Sequence, residues 1–356
     1  MKNVLVIFGG ASSEYEVSLR SSASVLRNIN RDKYNVYTLG ITKDGRWLFY
    51  DGDIDSIENN SWAEKNTVSA IISPDKKEKS LLVFKGEKTE KIKIDIIFPV
   101  MHGKNGEDGT IQGIFEMADI AYVGCTPLAG AMCMDKAITN TICDAAGIPQ
   151  AKWVAFTKYE LDNNKVDLKE AVDYLKFPIF VKPANAGSSV GITKAHNNEE
   201  LEKALEIAFK EDRKVVLEET LVGREIECAV MGNEEIMVSG MGEVLSAAEF
   251  YDYDAKYNNS ESRTVIPAQI EPEKAEEMRR IAKKIFRAVD GSGLARVDFF
   301  VDRKNGKVLF NELNTMPGFT PISMYPMLWE NAGVSNTELM DRFVELALTR
   351  DSGIRG

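Results

Sequence analysis

Histidine is nearly missing from this chain: His102 and His196 are its two histidines in 356 residues. A His-rich metal centre is therefore excluded, which leaves oxygen ligands and lysines for any polar chemistry. Cysteine is also scarce. Cys125, Cys133, Cys143 and Cys228 form no CxxC pair, so neither a zinc site nor a redox motif is suggested. Four cysteines in so long a chain make no disulfide framework and point to a reducing compartment. No apolar run approaches the roughly 18 residues that a membrane span needs. The apolar start, Val4 to Phe8, is too short for a secretory core and stops at Gly9-Gly10, so a cytoplasmic protein is expected. Positive charge is in deficit, with 44 Lys+Arg against 55 Asp+Glu and a net charge of −11. Such a chain is a poor general binder of nucleic acid or anionic membrane. The Walker pattern GxxxxGK[ST] and the GxGxxG fingerprint are both missing, which disfavours a P-loop NTPase and a dinucleotide enzyme. There are no internal repeats and no low-complexity segments.

What remains is an ordinary globular composition, 44% hydrophobic and 28% charged. At about 150 residues per domain, the length suggests two or three domains. Val4–Phe8 reads as a buried parallel strand, followed by a loop and a helix from Ser18, its expected N-cap. Tyr34–Ile41 and Ile94–Val100 read as further strands and Gly109–Met117 as a helix, which predicts an open parallel α/β sheet over residues 1 to about 125. Helices are expected over Lys136–Ala146, Glu199–Lys210, Pro272–Val289 and Thr337–Leu348. Strands are expected over Phe177–Pro183, Val215–Glu218, Ile226–Met231, Ala295–Val301 and Val308–Leu313. The polar stretch Asn258–Arg263 is a candidate mobile loop.

Three segments carry candidate chemistry. In Lys182 to Gly191, Gly187 and Gly191 let backbone N–H groups converge, and Lys182 stands ready for phosphate oxygens; the alternative is a plain hairpin with a solvated lysine. In Arg296-Val297-Asp298 and Asn311-Glu312-Leu313-Asn314, residues two apart share a strand face. Pairing those strands would gather Asp298, Glu312 and Asn314, the oxygen donors that Mg²⁺ prefers, beside a cation; the alternative is two half-exposed strands with polar faces. His102 to Gly109 follows a strand end, where open α/β sheets place ligands. There Glu107 could orient His102, or the histidine could simply cap a turn.

Together with Gly9 to Ser18, Met134-Asp135-Lys136, Phe250 to Tyr257 and Asn311 to Thr320, these motifs stand in one order. In that order they resemble the D-alanine–D-alanine ligases of the ATP-grasp superfamily over nearly the whole length. The resemblance implies an α/β architecture, with a pre-ATP-grasp domain at 1–125 followed by a two-lobed ATP-grasp fold at 126–222 and 223–356. It implies joining of two D-alanines with ATP through an acyl phosphate, for peptidoglycan precursor and cell-wall synthesis. Glu14 would hold the first ammonium and link with Ser188 and Tyr257. Lys136 and Lys182 would bind the α- and β-phosphates, and Lys256 the γ-phosphate. Arg296 and the Gly318 N–H would form the oxyanion hole. Asp298, Glu312 and Asn314 would hold two Mg²⁺ ions, with Mn²⁺ as a substitute. Glu218 to Leu221 would form the adenine hinge, Glu225 would meet the ribose, Phe300 the adenine, and Asn311 the nucleotide. Ser323 would hold the second carboxylate, with Met324 beside it, and His102 would lie near the substrates with an acid–base role. A homodimer is implied as well.

Two departures from the family pattern stand out. Ala186 replaces an acidic or amide residue, and Glu219 replaces a lysine. The N-terminal half is also similar to the D-Ala–D-Ser ligases of vancomycin resistance, which tend to carry Arg where this chain has Met324. An apolar thioether suits the D-Ala methyl better than a serine hydroxyl, so D-Ala is expected at the second site. A D-Ala–D-Ser ligase and a nucleotide-binding regulator without turnover are the alternatives.

Overall fold

The computed structural model describes residues 1–187, 190–245 and 263–351. An eight-stranded sheet comes first: β1 (Lys2–Gly9), β2 (Tyr34–Ile41), β3 (Trp47–Tyr50), β4 (Thr67–Ile72), β5 (Ser80–Lys85), β6 (Lys88–Lys93), β7 (Ile96–Val100) and β8 (Ala121–Tyr122). Its spatial order is β6-β5-β4-β3-β2-β1-β7-β8. Only β2, β1, β7 and β8 run parallel. β3 to β6 join antiparallel, so the sheet is mixed rather than the open parallel sheet expected. The reason lies in the connections. Helices Tyr15–Asn28 and Thr110–Ala118 supply the crossovers that parallel strands need, whereas β5 and β6 are joined through Gly86 at a φ of 63°. A turn that tight can connect only antiparallel neighbours.

Ser18 does not cap the first helix. That helix spans Tyr15–Asn28, with Glu14 at the N-cap. Ser18 lies inside it, fully buried. Its Oγ accepts the Gly9 N–H at 2.8 Å and donates to the Val100 carbonyl. The hydroxyl thus ties the helix to the ends of β1 and β7, where Gly9 begins the site loop. Ser18→Ala would strand the buried Gly9 N–H and leave the Val100 carbonyl only a long bond from Ser22 Oγ at 3.5 Å, so unfolding in urea is expected to show a loss of about 1–3 kcal/mol.

The second sheet joins β9 (Trp153–Thr157), β10 (Ile179–Pro183), β11 (Thr193–Ala195) and β12 (Lys214–Glu219) in the order β11-β10-β12-β9, all antiparallel. The third joins β13 (Gly223–Gly232), β14 (Met237–Leu245), β15 (Arg263–Val265), β16 (Gly293–Asp302) and β17 (Val308–Asn314) in the order β15-β14-β13-β16-β17. β13 and β16 bury nearly every side chain. Helix Pro272–Ala288 covers this sheet with Met278, Ile281, Ile285 and Phe286.

The chain's two ends share one core. Phe98 of β7 packs edge-on against Phe319 at 6.0 Å and against Phe343 of helix Asn336–Thr349 at 6.1 Å. Phe319 and Tyr325 lie 5.8 Å apart. The segment after β17 is thereby laid over the first sheet, beside the loops that follow β1 and β7.

Candidate active site

Two contiguous cavities lie where the three sheets meet. The smaller, about 120 Å³, is lined by Glu14, His102, Asn314 and Gly318. The larger, about 580 Å³, is lined by Leu221, Glu225, Asp298 and Phe300. Lys136, Lys182, Glu218, Arg296, Asn311 and Glu312 line both.

Glu14 is 7% exposed and sits between two glycines. A Cβ at Gly103 would come within 2.2 Å of its Oε2, and one at Gly187 within 2.4 Å. Gly103 is also at a φ of 68°, so both backbone and space demand glycine there. The conformation of the Gly187 segment brings its backbone against this carboxylate.

Lys136 opens helix Lys136–Ala145, which Asp135 caps by accepting the Ala137 and Ile138 N–H groups. The other carboxylate oxygen of Asp135 pairs with Lys214 of β12. The Lys136 ammonium donates to the Ala186 carbonyl at 2.7 Å. Burial pulls its pKa below the ordinary lysine range, against the opposing Glu312 carboxylate, while the Lys182 cation adds to the lowering. Lys182, on β10, pairs with Glu218 of β12. The side chain of Glu218 is thus engaged by the lysine, while its residue lines the larger cavity.

Arg296, Asp298, Glu312 and Asn314 are brought together as the strand spacing predicted. β16 and β17 pair antiparallel, with Arg296 opposite Asn314 and Asp298 opposite Glu312. Arg296 meets Asp298 with two bonds, Nε to Oδ1 at 2.7 Å and Nη2 to Oδ2 at 2.6 Å. Asn314 Nδ2 lies 3.2 Å from Asp298 and 3.3 Å from Glu312. On the other side β13 places Glu227 opposite Asp298, with a carboxylate oxygen 3.0 Å from Arg296 Nε. Three carboxylates in a row across three strands thus surround one guanidinium. Burial would lower the Arg296 pKa, but Asp298 and Glu227 outweigh it and hold the cation well above its usual range. Burial pushes the Asp298 carboxyl up to about 7, with Glu227 and Glu312 adding to the rise and Arg296 opposing it.

Among the described residues, no three His, Cys, Asp or Glu side chains gather as a metal cluster. The donor set here is two carboxylates and an amide. That set suits Mg²⁺, which takes one or two carboxylates and completes its shell with phosphates and water. A second cation among Glu227, Asp298 and Glu312 would also relieve their mutual repulsion. Cys133 lines the smaller cavity, but burial pushes its thiol well above the ordinary range, so it is no thiolate nucleophile.

His102 is 4% exposed and has both ring nitrogens engaged. Nδ1 lies 3.0 Å from the Met316 carbonyl and 3.2 Å from Glu107, and Nε2 lies 3.2 Å from Ser21 Oγ. Ser323 N-caps helix Met324–Asn331 and accepts the Thr320 N–H at 3.0 Å. Met324 is in the core: it is 5% exposed, and its sulfur lies against Gly242, where a Cβ would come within 2.4 Å. Neither Ser323 nor Met324 lines the two cavities. Ser188, Lys256 and Tyr257 lie outside the described residues, as does residue range 258–262 of the candidate mobile loop. Glu227 was missed, although a carboxylate inside the apolar run of β13 was a usable signal.

Residues 3–125 match the family model described as D-ala D-ala ligase N-terminus, and residues 142–345 match that described as D-ala D-ala ligase C-terminus. This chain belongs to the D-Ala–D-Ala ligase family. Members of this family use ATP and a divalent metal. The D-alanine–D-alanine ligase of Acetivibrio thermocellus is 51% identical, covering 98% of this chain and 96% of that protein. That of Clostridium novyi is 46% identical, covering 99% of each. Among solved structures, the VanG D-Ala:D-Ser ligase from Enterococcus faecalis superposes with a TM-score of 0.89 at 41% identity, over 97% of this chain and 99% of that one. The D-alanine–D-alanine ligase from Coxiella burnetii superposes with a TM-score of 0.85 at 31% identity, over 98% of this chain and 94% of that one. Among the described residues of this D-Ala–D-Ala ligase family member, no helix is long and apolar enough to cross a membrane.

Proposed function

We propose that the chain ligates two D-alanines into D-alanyl-D-alanine, using ATP, as a peptidoglycan precursor enzyme. The observation that carries this reading is the wall common to both cavities, where Lys136, Lys182 and Arg296 converge. A nucleotide in the larger cavity would turn its phosphates toward that wall, and two small amino acids suit the smaller one. Leu221, Glu225, Phe300 and Asn311 would hold adenine, ribose and nucleotide. Glu14, wedged between Gly103 and Gly187, would hold the first ammonium.

Phosphoryl transfer from ATP to the first carboxylate gives an acyl phosphate and ADP. Attack by the second amine then forms the peptide bond and releases phosphate. Lys136, Lys182 and Lys256 would bind phosphate oxygens, while Arg296 and the Gly318 N–H would face the oxygen that gains charge. Asp298, Glu312 and Asn314 would hold Mg²⁺ or Mn²⁺, taken here as two ions, whose chemistry is to neutralise phosphate charge. Ser188 and Tyr257, with Glu14, would close the site against water. The folding units at 1–125, 126–222 and 223–356, a homodimer and a cytoplasmic location complete the proposal.

A second reading, D-Ser at the second position, is favoured by the TM-score of 0.89 to the VanG D-Ala:D-Ser ligase. Curated D-Ala–D-Ala ligases at 51% and 46% identity favour D-Ala. Purified protein given ATP, Mg²⁺ and equal D-Ala and D-Ser is expected to form mainly the D-Ala–D-Ala dipeptide by mass, with L-Ala inert. Dominant D-Ala–D-Ser product would replace the first reading by the second, and ADP release that ignores D-Ala would overturn both.

A further inference from the structure

Just past β17, Met316, Pro317 and Gly318 form one edge of the smaller cavity, and Phe319 completes the turn in the core. Both ends of this turn are held by side chains from the first third of the chain. At one end, His102 Nδ1 lies 3.0 Å from the Met316 carbonyl oxygen. A carbonyl only accepts, so Nδ1 carries a hydrogen and donates it. At the other end, the Phe319 N–H donates to Ser21 Oγ at 3.1 Å. The two anchors meet, because Ser21 Oγ lies 3.2 Å from His102 Nε2. In the neutral imidazole Nε2 is then the acceptor, so Ser21 donates its hydroxyl hydrogen to it. The polarity is then consistent around a closed ring: Phe319 N–H to Ser21, Ser21 O–H to His102, and His102 N–H to Met316.

Ser21 is fully buried on helix Tyr15–Asn28, and His102 is 4% exposed. The Phe319 ring is wedged among Phe98, Tyr325 and Phe343. The backbone between the two anchors therefore has little freedom. Gly318 lies inside that span, and its N–H is the one assigned above to the oxygen that gains charge.

We propose that Ser21 and His102 are positioning residues, a hydrogen-bonded relay that fixes the turn and aims the Gly318 N–H. Both ring nitrogens of His102 are spent on this relay, which takes the histidine out of proton transfer. This assignment rests on the ligase reading and on Gly318 as the oxyanion donor. Small misplacements of such a donor cost rate rather than ground-state affinity.

The test compares wild type, Ser21→Ala, His102→Gln and the double variant in D-Ala-dependent ADP release, with the ATP KM and melting temperature measured in parallel. Each single variant is expected to lose about tenfold to a hundredfold in kcat with the ATP KM within about twofold. The double variant is expected to lose no more than the worse single, because the relay acts as one unit. Wild-type kcat in Ser21→Ala overturns the proposal, and so do single losses that multiply in the double. A loss in His102→Gln far beyond that in Ser21→Ala also overturns it, since the histidine would then act on substrate directly. If Ser21→Ala does not fold, His102→Gln decides: a kcat loss of about tenfold to a hundredfold with the ATP KM kept supports the relay, and a larger loss or an unchanged kcat removes it. Wild-type protein that ignores D-Ala overturns the ligase reading and this proposal together. Active wild type with an unaffected Ser21→Ala overturns the relay alone.

Discussion

Arg296→Met is expected to lower D-Ala-dependent turnover by about 10²–10³-fold and to destabilise the fold in a pH-dependent way. The guanidinium, 7% exposed, is the cation among Asp298, Glu227 and Glu312. Removing it leaves buried carboxylates without a counter-charge, a change that costs about 3–5 kcal/mol. The sign of the pH effect follows from linkage. A carboxyl whose folded pKa is raised above its unfolded value binds its proton more tightly when folded. Its contribution to stability is present at low pH and lost as pH rises through the folded value. Without Arg296 that rise is larger, so the deficit in melting temperature should be greater at pH 8 than at pH 5. An equal deficit at both pH values would mean that the guanidinium does not balance these carboxylates.

Asp298→Asn should separate chemistry from folding. If Asp298 holds the metal as proposed above, its loss would remove several kcal/mol of charge stabilisation, so turnover should fall by about a thousandfold. Stability should behave differently. Burial raises the Asp298 carboxyl from its ordinary 3.8 to about 7. Its stabilising contribution is therefore present below the ordinary value and lost as pH climbs toward 7. An asparagine has no such loss. In metal-free buffer, the melting temperature of the variant relative to wild type should rise between pH 4 and pH 7. A variant that melts far below wild type at neutral pH would make Asp298 a structural residue.

How much of this was legible in the sequence depended on range. Arg296, Asp298, Glu312 and Asn314 could be gathered from strand period alone, because β16 and β17 are neighbours in sequence and pair directly. Lys182 could be placed because the strand that carries it ends at the glycine turn. The mixed character of the first sheet was not legible: antiparallel connections from β3 to β6 replace crossovers there, and the exposed lysines of β6 mask its strand pattern. Ser18 was misread as a cap because its partners, Gly9 and Val100, lie on separate strands. Met324 was read as facing a substrate, but its sulfur is set by Gly242, a contact that spans two elements. Ser21 gave no motif at all, since its meaning rests on Phe319.

The aromatic contact of Phe98 with Phe319 and Phe343 has a consequence for the order of assembly. The first sheet can form early as the chain leaves the ribosome, since its strands are all within the first 122 residues. The turn that carries Gly318 cannot settle until helix Asn336–Thr349 has been made and has folded back across the sheet. The edge of the smaller cavity is therefore completed only after a helix that follows it in the chain has been made.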